Sequence, residues 1–228
     1  MISAIIPTFN EKKNIEALCK KLNCIRIVSE VIFVDDNSED GTFKEIQKMS
    51  NLNKKFIGIL RDNKEKNLAA SVLVGVYKAK NKLILAMDSD LQHNTHYIFK
   101  MYQLLKKTSC DIVIGSRFMN NNFSGNLGFI RSILSNLCIF LINLFFKKKT
   151  SDPLSGFFLC KKNMIIKEYK KFYLRGFKIL FDILHNGNKH IKCEDISIVF
   201  NKRKYEVSKF NYKIGFIFVK QLIFTYRK

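Results

Sequence analysis

Five short apolar runs, ISAIIP, EVIFVDD, KKFIGILR, NKLILAMD and CDIVIGSRF, recur between residues 2 and 118, each separated from the next by a stretch with helical spacing. No other feature constrains the fold as strongly. Runs apolar at successive positions are buried on both faces, the mark of a parallel sheet covered by helices. Ile15, Leu18, Cys19 and Leu22 follow the first run at helical spacing, with Asn10 placed as the cap. A second helix is expected from near Thr42, a third carries Ala69, Ala70, Leu73 and Val76, and a fourth runs from about Thr95 to Lys106. The reading is therefore α/β with a mostly parallel sheet. Ligands of such sheets gather beyond the carboxyl ends of the strands, where Asp35, Asp36, Asp88, Asp90, Ser116 and Arg117 fall.

Asp88-Ser89-Asp90 places two carboxylates two positions apart after an apolar run, followed by Gln92 and His93. Such a pair can hold a hard divalent cation that also binds phosphate oxygens. Spacing alone favours solvated loop carboxylates over a metal site. The formal charge of +21, from 40 Lys and Arg against 19 Asp and Glu, points to anionic surroundings: nucleic acid, phosphorylated small molecules or a membrane face. Six cysteines without a C-x-x-C pair read as reduced core residues. The opening MISAIIPTFNEKKN carries no basic leader or signal-like segment.

The second half is less regular. LGFIRSILSNLCIFLINLFFKKK contains an uncharged run from Ser132 to Phe146, 15 residues long, short of the roughly 20 that span a bilayer. Its broad apolar face fits either a helix lying on a membrane or one buried in the core. KFNYKIGFIFVKQLIFTYRK repeats the pattern with Lys213, Lys220 and Arg227 seven apart, and a terminal helix docked on its own domain is the competing reading.

IIPTFNEKKNI, VIFVDDNSEDGT, MDSDLQH, IVIGSRF, DPLSGFFLCKK, GFKILFDIL and RKYEVSK occur in that order along nearly the whole chain. This ordered set resembles family 2 of the GT-A glycosyltransferases, in the dolichyl-phosphate mannose synthase and polyprenyl-phosphate glycosyltransferase branch. The resemblance implies a GT-A, Rossmann-like fold with amphipathic membrane-surface helices in the C-terminal half. It implies a nucleotide-sugar-binding core over 1–126, an acceptor-binding part over 127–209 with an interfacial helix near 127–146, and an amphipathic basic segment over 210–228.

Carried over residue by residue, the donor pocket falls on Pro7, Phe9, Glu11, Asp35, Asp36, Asp88, Ser89, Asp90, Gln92 and Lys178, with Asp88, Asp90 and Gln92 as ligands of Mg²⁺ or Mn²⁺. Arg117, Arg131, Ser135, Arg203 and Lys209 fall on the acceptor-phosphate side, with Ser208 beside them. A guanidinium fork suits phosphate oxygens. Asp90, Arg117, Arg131 and Arg203 are the implied catalytic set. Asp152 would support the loop or bind sugar, and Ser155 and Gly156 would shape its turn. Lys178 and Asp182, four apart, read as a helical ion pair or as a lysine near the donor.

The implied reaction is inverting transfer of a hexose from a nucleotide diphosphate sugar, of GDP-mannose or UDP-glucose type, to a dolichyl or undecaprenyl type polyprenyl monophosphate. The implied location is peripheral, on the cytoplasmic face of an anionic membrane, with amphipathic segments, basic charge or a separate anchoring partner in place of the paired C-terminal spans of some members. A transferase acting on a saccharide or other hydroxyl acceptor is the enzyme alternative, and a basic nucleic-acid-binding protein the non-enzymatic one. Two departures stand out: Asn67 where the family has glycine, expected to tolerate a positive φ, and Glu206 at another glycine position.

Overall fold

The computed structural model describes residues 1–62, 66–119, 138–176, 178–201 and 212–227. Strands β1 (Ile2–Thr8), β2 (Val28–Asp35), β3 (Phe56–Leu60), β4 (Leu83–Ala86), β5 (Ile112–Ser116), β6 (Phe158–Lys161) and β7 (Cys193–Ser197) form one sheet, ordered β3-β2-β1-β4-β6-β5-β7. Helices α1 (Lys12–Asn23), α2 (Thr42–Leu52), α3 (Leu68–Lys78) and α4 (Tyr97–Thr108) lie between the first five strands. Helix α5, described over 138–145, precedes β6, which is followed by α6 (Lys162–Glu168), α7 (Ile179–His185) and, after β7, α8 (Tyr212–Tyr226).

The apolar runs are strands because both their faces are covered. Ala4, Ile6 and Phe33 pack with α1, α2 and α4 on one side through Leu18, Ile46 and Met101. Ile5, Ile32 and Val34 pack with α3, α6 and α7 on the other through Val72, Ile165 and Ile183. Full burial of side chains of this size stabilises the fold by about 1.5–3 kcal/mol each. Two local expectations change. The residue preceding α1 is Glu11, and Asn10 instead adopts a positive φ of 50°, its backbone N–H donating to Ser38 Oγ and its side-chain oxygen accepting from Glu39. Helix α4 starts at Tyr97 because Asn94 and Thr95 form a turn that closes on Tyr97 and Ile98.

Parallel pairing joins β1 to β2 and β4, β2 to β3, and β5 to β7, while β6 runs antiparallel between β4 and β5. Phe158, the first residue of β6, pairs with Ala86 at the end of β4 and with Ile114 in β5. Reversal of this one strand makes the loop before β6 approach from the carboxyl ends of its neighbours. That edge is where the polar motifs collect.

A third apolar cluster joins Ile142 of α5, Leu154, and Phe181 of α7, with Phe218 and Leu222 of α8 against them. The opposite faces of α5 and α8 are bare. Phe140, Leu144, Phe145, Phe216, Val219, Ile223 and Tyr226 are all exposed, and Phe145 meets Tyr226 edge-on at 5.8 Å, joining the two helices into one patch. Each helix thus docks one face on the domain, as the core reading of these segments expects, and exposes the other. No helix among the described residues is long and apolar enough to cross a membrane.

Candidate active site at the carboxyl edge of the sheet

The ends of β1 and β2 form a wall of buried acids with internal partners. Asp35 accepts from Thr8 Oγ1 at 3.0 Å and from the Ser38 hydroxyl and amide at 2.6 and 2.9 Å. Asp36 is held by Arg61 Nη1 at 2.6 Å and by the Asn67 amide at 2.5 Å. Arg61 also donates to the Asn67 carbonyl and to Ser71 Oγ, so a buried charge pair and its hydrogen bonds fix the start of α3. Glu11, also buried, accepts from Asn14 Nδ2 at 2.6 Å while its amide donates to Thr42 Oγ1. Lys66 bridges the carbonyls of Asp36 and Asn37 and lies 5.1 Å from the centre of the half-buried Phe9 ring. Pro7, Phe9, Glu11, Asp35 and Asp36 are therefore brought together at one end of β1 and β2.

Asn67 corrects the expectation drawn from its glycine-like position. Its φ is −151°, in extended space, and its side-chain oxygen caps α3 by accepting from the Ala70 amide while its nitrogen donates to the Leu174 carbonyl. An asparagine here serves as an N-cap.

The β4 loop is tighter still. Ser89, Asp90, Gln92 and His93 are buried, and Asp88, with 35% of its side chain exposed, opens toward solvent. Leu91 takes a positive φ of 62°, a conformation that costs a leucine about 1–3 kcal/mol and persists only where the surroundings enforce it. Asp90 Oδ1 accepts from the Gln92 amide at 3.2 Å. Gln92 in turn clamps Asn201: its side-chain nitrogen donates to the Asn201 carbonyl and its own carbonyl accepts the Asn201 amide, both at 2.9 Å.

From the other side comes the loop before β6. Gly156 is packed so closely on Asp88 that a Cβ there would lie 2.5 Å from the Asp88 carboxylate. Ser155 Oγ donates to the Gly115 carbonyl at 2.8 Å, and Ser151 meets Ser116 hydroxyl to hydroxyl at 2.6 Å. Asp195, at the edge strand β7, accepts from Thr150 Oγ1 and from the amide and hydroxyl of Ser151 at 2.6–2.7 Å.

Arg117, expected to contact phosphate, uses two nitrogens of its fork on Asp152, with Nε at 2.7 Å and Nη2 at 2.9 Å from the carboxylate. The pair is deeply buried, at 12% and 0% side-chain exposure. Burial opposes the arginine charge, but the charge and hydrogen bonds of Asp152, with Asp88 beyond, outweigh it and raise the Arg117 pKa. Asp152 thus aims a permanent cation at the neighbourhood of Asp88.

Lys178 donates to the Leu154 carbonyl at 3.1 Å, and the fully buried Asp182 accepts from the Tyr173 amide, Asn186 Nδ2 and Gln221 Nε2 at 2.7–3.0 Å. The carboxylate of α7 thereby seats α8. Arg131, Ser135, Arg203, Glu206, Ser208 and Lys209 lie outside the described residues. Arg61 and Asp195 were not singled out from the sequence. An arginine ending the strand beside an acid pair would have marked the first, while Asp195 sits in a charged strand with no apolar signature.

The donor set suits a hard divalent cation. Among the described residues no three His, Cys, Asp or Glu side chains gather closely enough to hold an ion by themselves. One carboxylate open to solvent beside a second, buried one matches an ion that completes its shell with phosphate oxygens and water. Asp88 and Asp90 could hold it; the Gln92 amide lies beside them with its nitrogen committed to Asn201.

The model of the glycosyl transferase family 2 domain matches residues 3–169. Among curated proteins the chain is 33% identical over 225 residues to a dolichol-phosphate mannosyltransferase of Pyrococcus furiosus, covering 97% of this chain and 62% of that protein. It is 28% identical over 231 residues to the dolichol-phosphate mannosyltransferase of Saccharomyces cerevisiae, covering 96% and 85%. The chain thus spans less than two thirds of the archaeal relative. Among solved structures, glucosyl-3-phosphoglycerate synthase of Mycobacterium tuberculosis, in complex with Mn²⁺, UDP and glucosyl-3-phosphoglycerate, superposes with a TM-score of 0.74 at 13% identity, covering 98% of this chain and 78% of that one. Mannosyl-3-phosphoglycerate synthase of Rubrobacter xylanophilus gives 0.70 at 14%, covering 97% and 72%. The buried acid wall, the carboxylate loop after β4 and the family match over residues 3–169 lead to one conclusion: the chain belongs to glycosyl transferase family 2.

Proposed function

We propose that the protein transfers a hexosyl group, with inversion, from a nucleotide diphosphate sugar to the terminal phosphate of a polyprenyl monophosphate. One observation carries the choice of acceptor. The likeness to the dolichol-phosphate mannosyltransferases runs through 96–97% of the chain, well past residue 169 where the family domain ends, into the part that bears α7 and α8. That part carries the α8 half of the exposed apolar patch, Phe216, Val219, Ile223 and Tyr226, suited to a substrate whose tail lies in a bilayer.

In this reading Phe9 and the wall around Asp35 and Asp36 receive the nucleoside, and Asp88 and Asp90 hold Mg²⁺ or Mn²⁺. When bound, the ion supplies countercharge to the departing diphosphate. Arg117 is already oriented by Asp152, which takes Nε and Nη2 and leaves Nη1 for an incoming phosphate while the buried pair keeps it charged. The acceptor oxygen attacks the anomeric carbon as the bond from that carbon to the nucleoside diphosphate breaks. No protein base is required, because a phosphate monoester with a second pKa of about 6 is already deprotonated near neutrality. Arg131, Ser135, Arg203 and Lys209 complete the acceptor side in the same proposal.

Binding is peripheral in this reading: the α5–α8 patch rests on an anionic bilayer, with Lys147, Lys148, Lys220 and Arg227 beside it. The test is a panel of nucleotide sugars and polyprenyl phosphates with Mg²⁺ or Mn²⁺, products identified by mass. A polyprenyl-phosphate hexose is expected; transfer only to a saccharide or a soluble phosphate would overturn the lipid acceptor.

A further inference from the structure

His93 sits beneath the carboxylate loop with its ring fully enclosed. It stacks on Phe157 at 4.8 Å and 23°, and meets Phe200 edge-on at 5.1 Å. Backbone bridging of His93 to Phe200 pins the ring's position along the chain. Nε2 lies 3.3 Å from Asp88 Oδ2, whereas the buried Nδ1 has no hydrogen-bond partner. A proton on Nδ1 would be an unpaired donor in an apolar wall, which is costly, so the tautomer that fits is the one with its hydrogen on Nε2. Gly156 packs against the same carboxylate, and its missing side chain is what leaves room for it.

We propose that His93 is a positioning residue for the divalent ion: its Nε2–H donates to Asp88 Oδ2 and fixes the carboxylate's rotation, so that Asp88 is presented to the metal in one orientation. The aromatic pair keeps the ring from turning, and Gly156 keeps the carboxylate within reach. This rests on the assignment of Asp88 as a metal residue made above. Donors behind a ligating carboxylate are worth about 10- to 100-fold in metal affinity.

The test is direct Mn²⁺ binding to the purified full chain, by calorimetry and by the spin resonance of free Mn²⁺, for wild type, Asp88→Ala, His93→Phe and His93→Gln. His93→Phe preserves the ring and its stacking but has no donor, and should bind Mn²⁺ about 10- to 100-fold more weakly. His93→Gln places an amide N–H near the Nε2 position and should recover most of that loss. Wild-type affinity in a folded His93→Phe, while Asp88→Ala has lost binding, would overturn the inference and leave the metal site standing. Wild-type affinity in Asp88→Ala would overturn the metal site itself. If His93→Phe does not fold, ring nitrogen NMR of the wild type with Mg²⁺ decides: a hydrogen on Nε2 is expected, and one on Nδ1 would refute the proposal.

Discussion

The carboxyl ends of β1 and β2 and the outer faces of α5 and α8 treat their surfaces in opposite ways. At the first, Asp35, Asp36 and Glu11 are buried and answered by donors from the protein, so the wall is complete before any ligand arrives. At the second, Phe140 and Phe216 are each 61% exposed. A region that binds a small polar molecule gains from being preorganised. An uncovered apolar face of this kind marks a surface for contact with another apolar phase or protein. The contrast separates a pocket defined by hydrogen bonds from a platform defined by area.

The contrast breaks most sharply at the carboxylate loop. Asp90→Ala should lower metal-dependent transfer by about 10³-fold or more while vesicle binding is unchanged, as rate and flotation assays would report. Next, Asp152→Ala leaves the Arg117 charge buried without its partner and should cost about 3–5 kcal/mol in urea unfolding. Gly156→Ala forces the Asp88 carboxylate aside and should slow transfer by about 10- to 100-fold, with a much smaller change in unfolding midpoint.

Acid distinguishes the platform from the pocket. His185, packed between Phe146 and Phe181, has its pKa pushed down to about 4 by burial and by the charge of Lys149. The unfolded chain, with the ordinary value of 6.5, therefore takes up the proton first. Stability from the neutral ring is complete above about pH 6.5 and is lost as pH falls toward 4, by about 1–3 kcal/mol. His185→Phe should flatten that part of the profile. The smallest effects belong to the patch: Phe140→Ser and Phe216→Ser should each weaken partition into anionic vesicles by about tenfold, with unfolding free energy unchanged within about 0.5 kcal/mol.

Strands β1 to β5 were legible because two-sided burial writes itself as unbroken apolar runs. Strands β6 and β7 were not: FLCK is too short to stand out and CEDIS is charged. The acidic ends of β2 and β4 were legible as a site, but their internal partners were hidden. Arg61 for Asp36, Asp152 for Arg117 and Asp195 for Ser151 are tertiary meetings across 25 to 44 positions, and no local spacing announces them. Asn67 misled because the helix cap it forms depends on its side chain, whereas glycine at the same place invites a reading in backbone angles.

After β5 the chain departs beside Ser116 and Arg117, and it returns beside Ser151 and Asp152. The hydroxyls of Ser116 and Ser151 touch, and the Arg117–Asp152 pair rivets the same crossing. The two flanks of the segment between them are thereby tied together. Loop closure costs only about 0.6 kcal/mol for each doubling of length, so these ties tolerate segments of very different size. A segment of another length grafted between positions 119 and 149 would therefore leave the Arg117–Asp152 pair and the Ser116–Ser151 contact where they stand, at the carboxyl edge of the sheet.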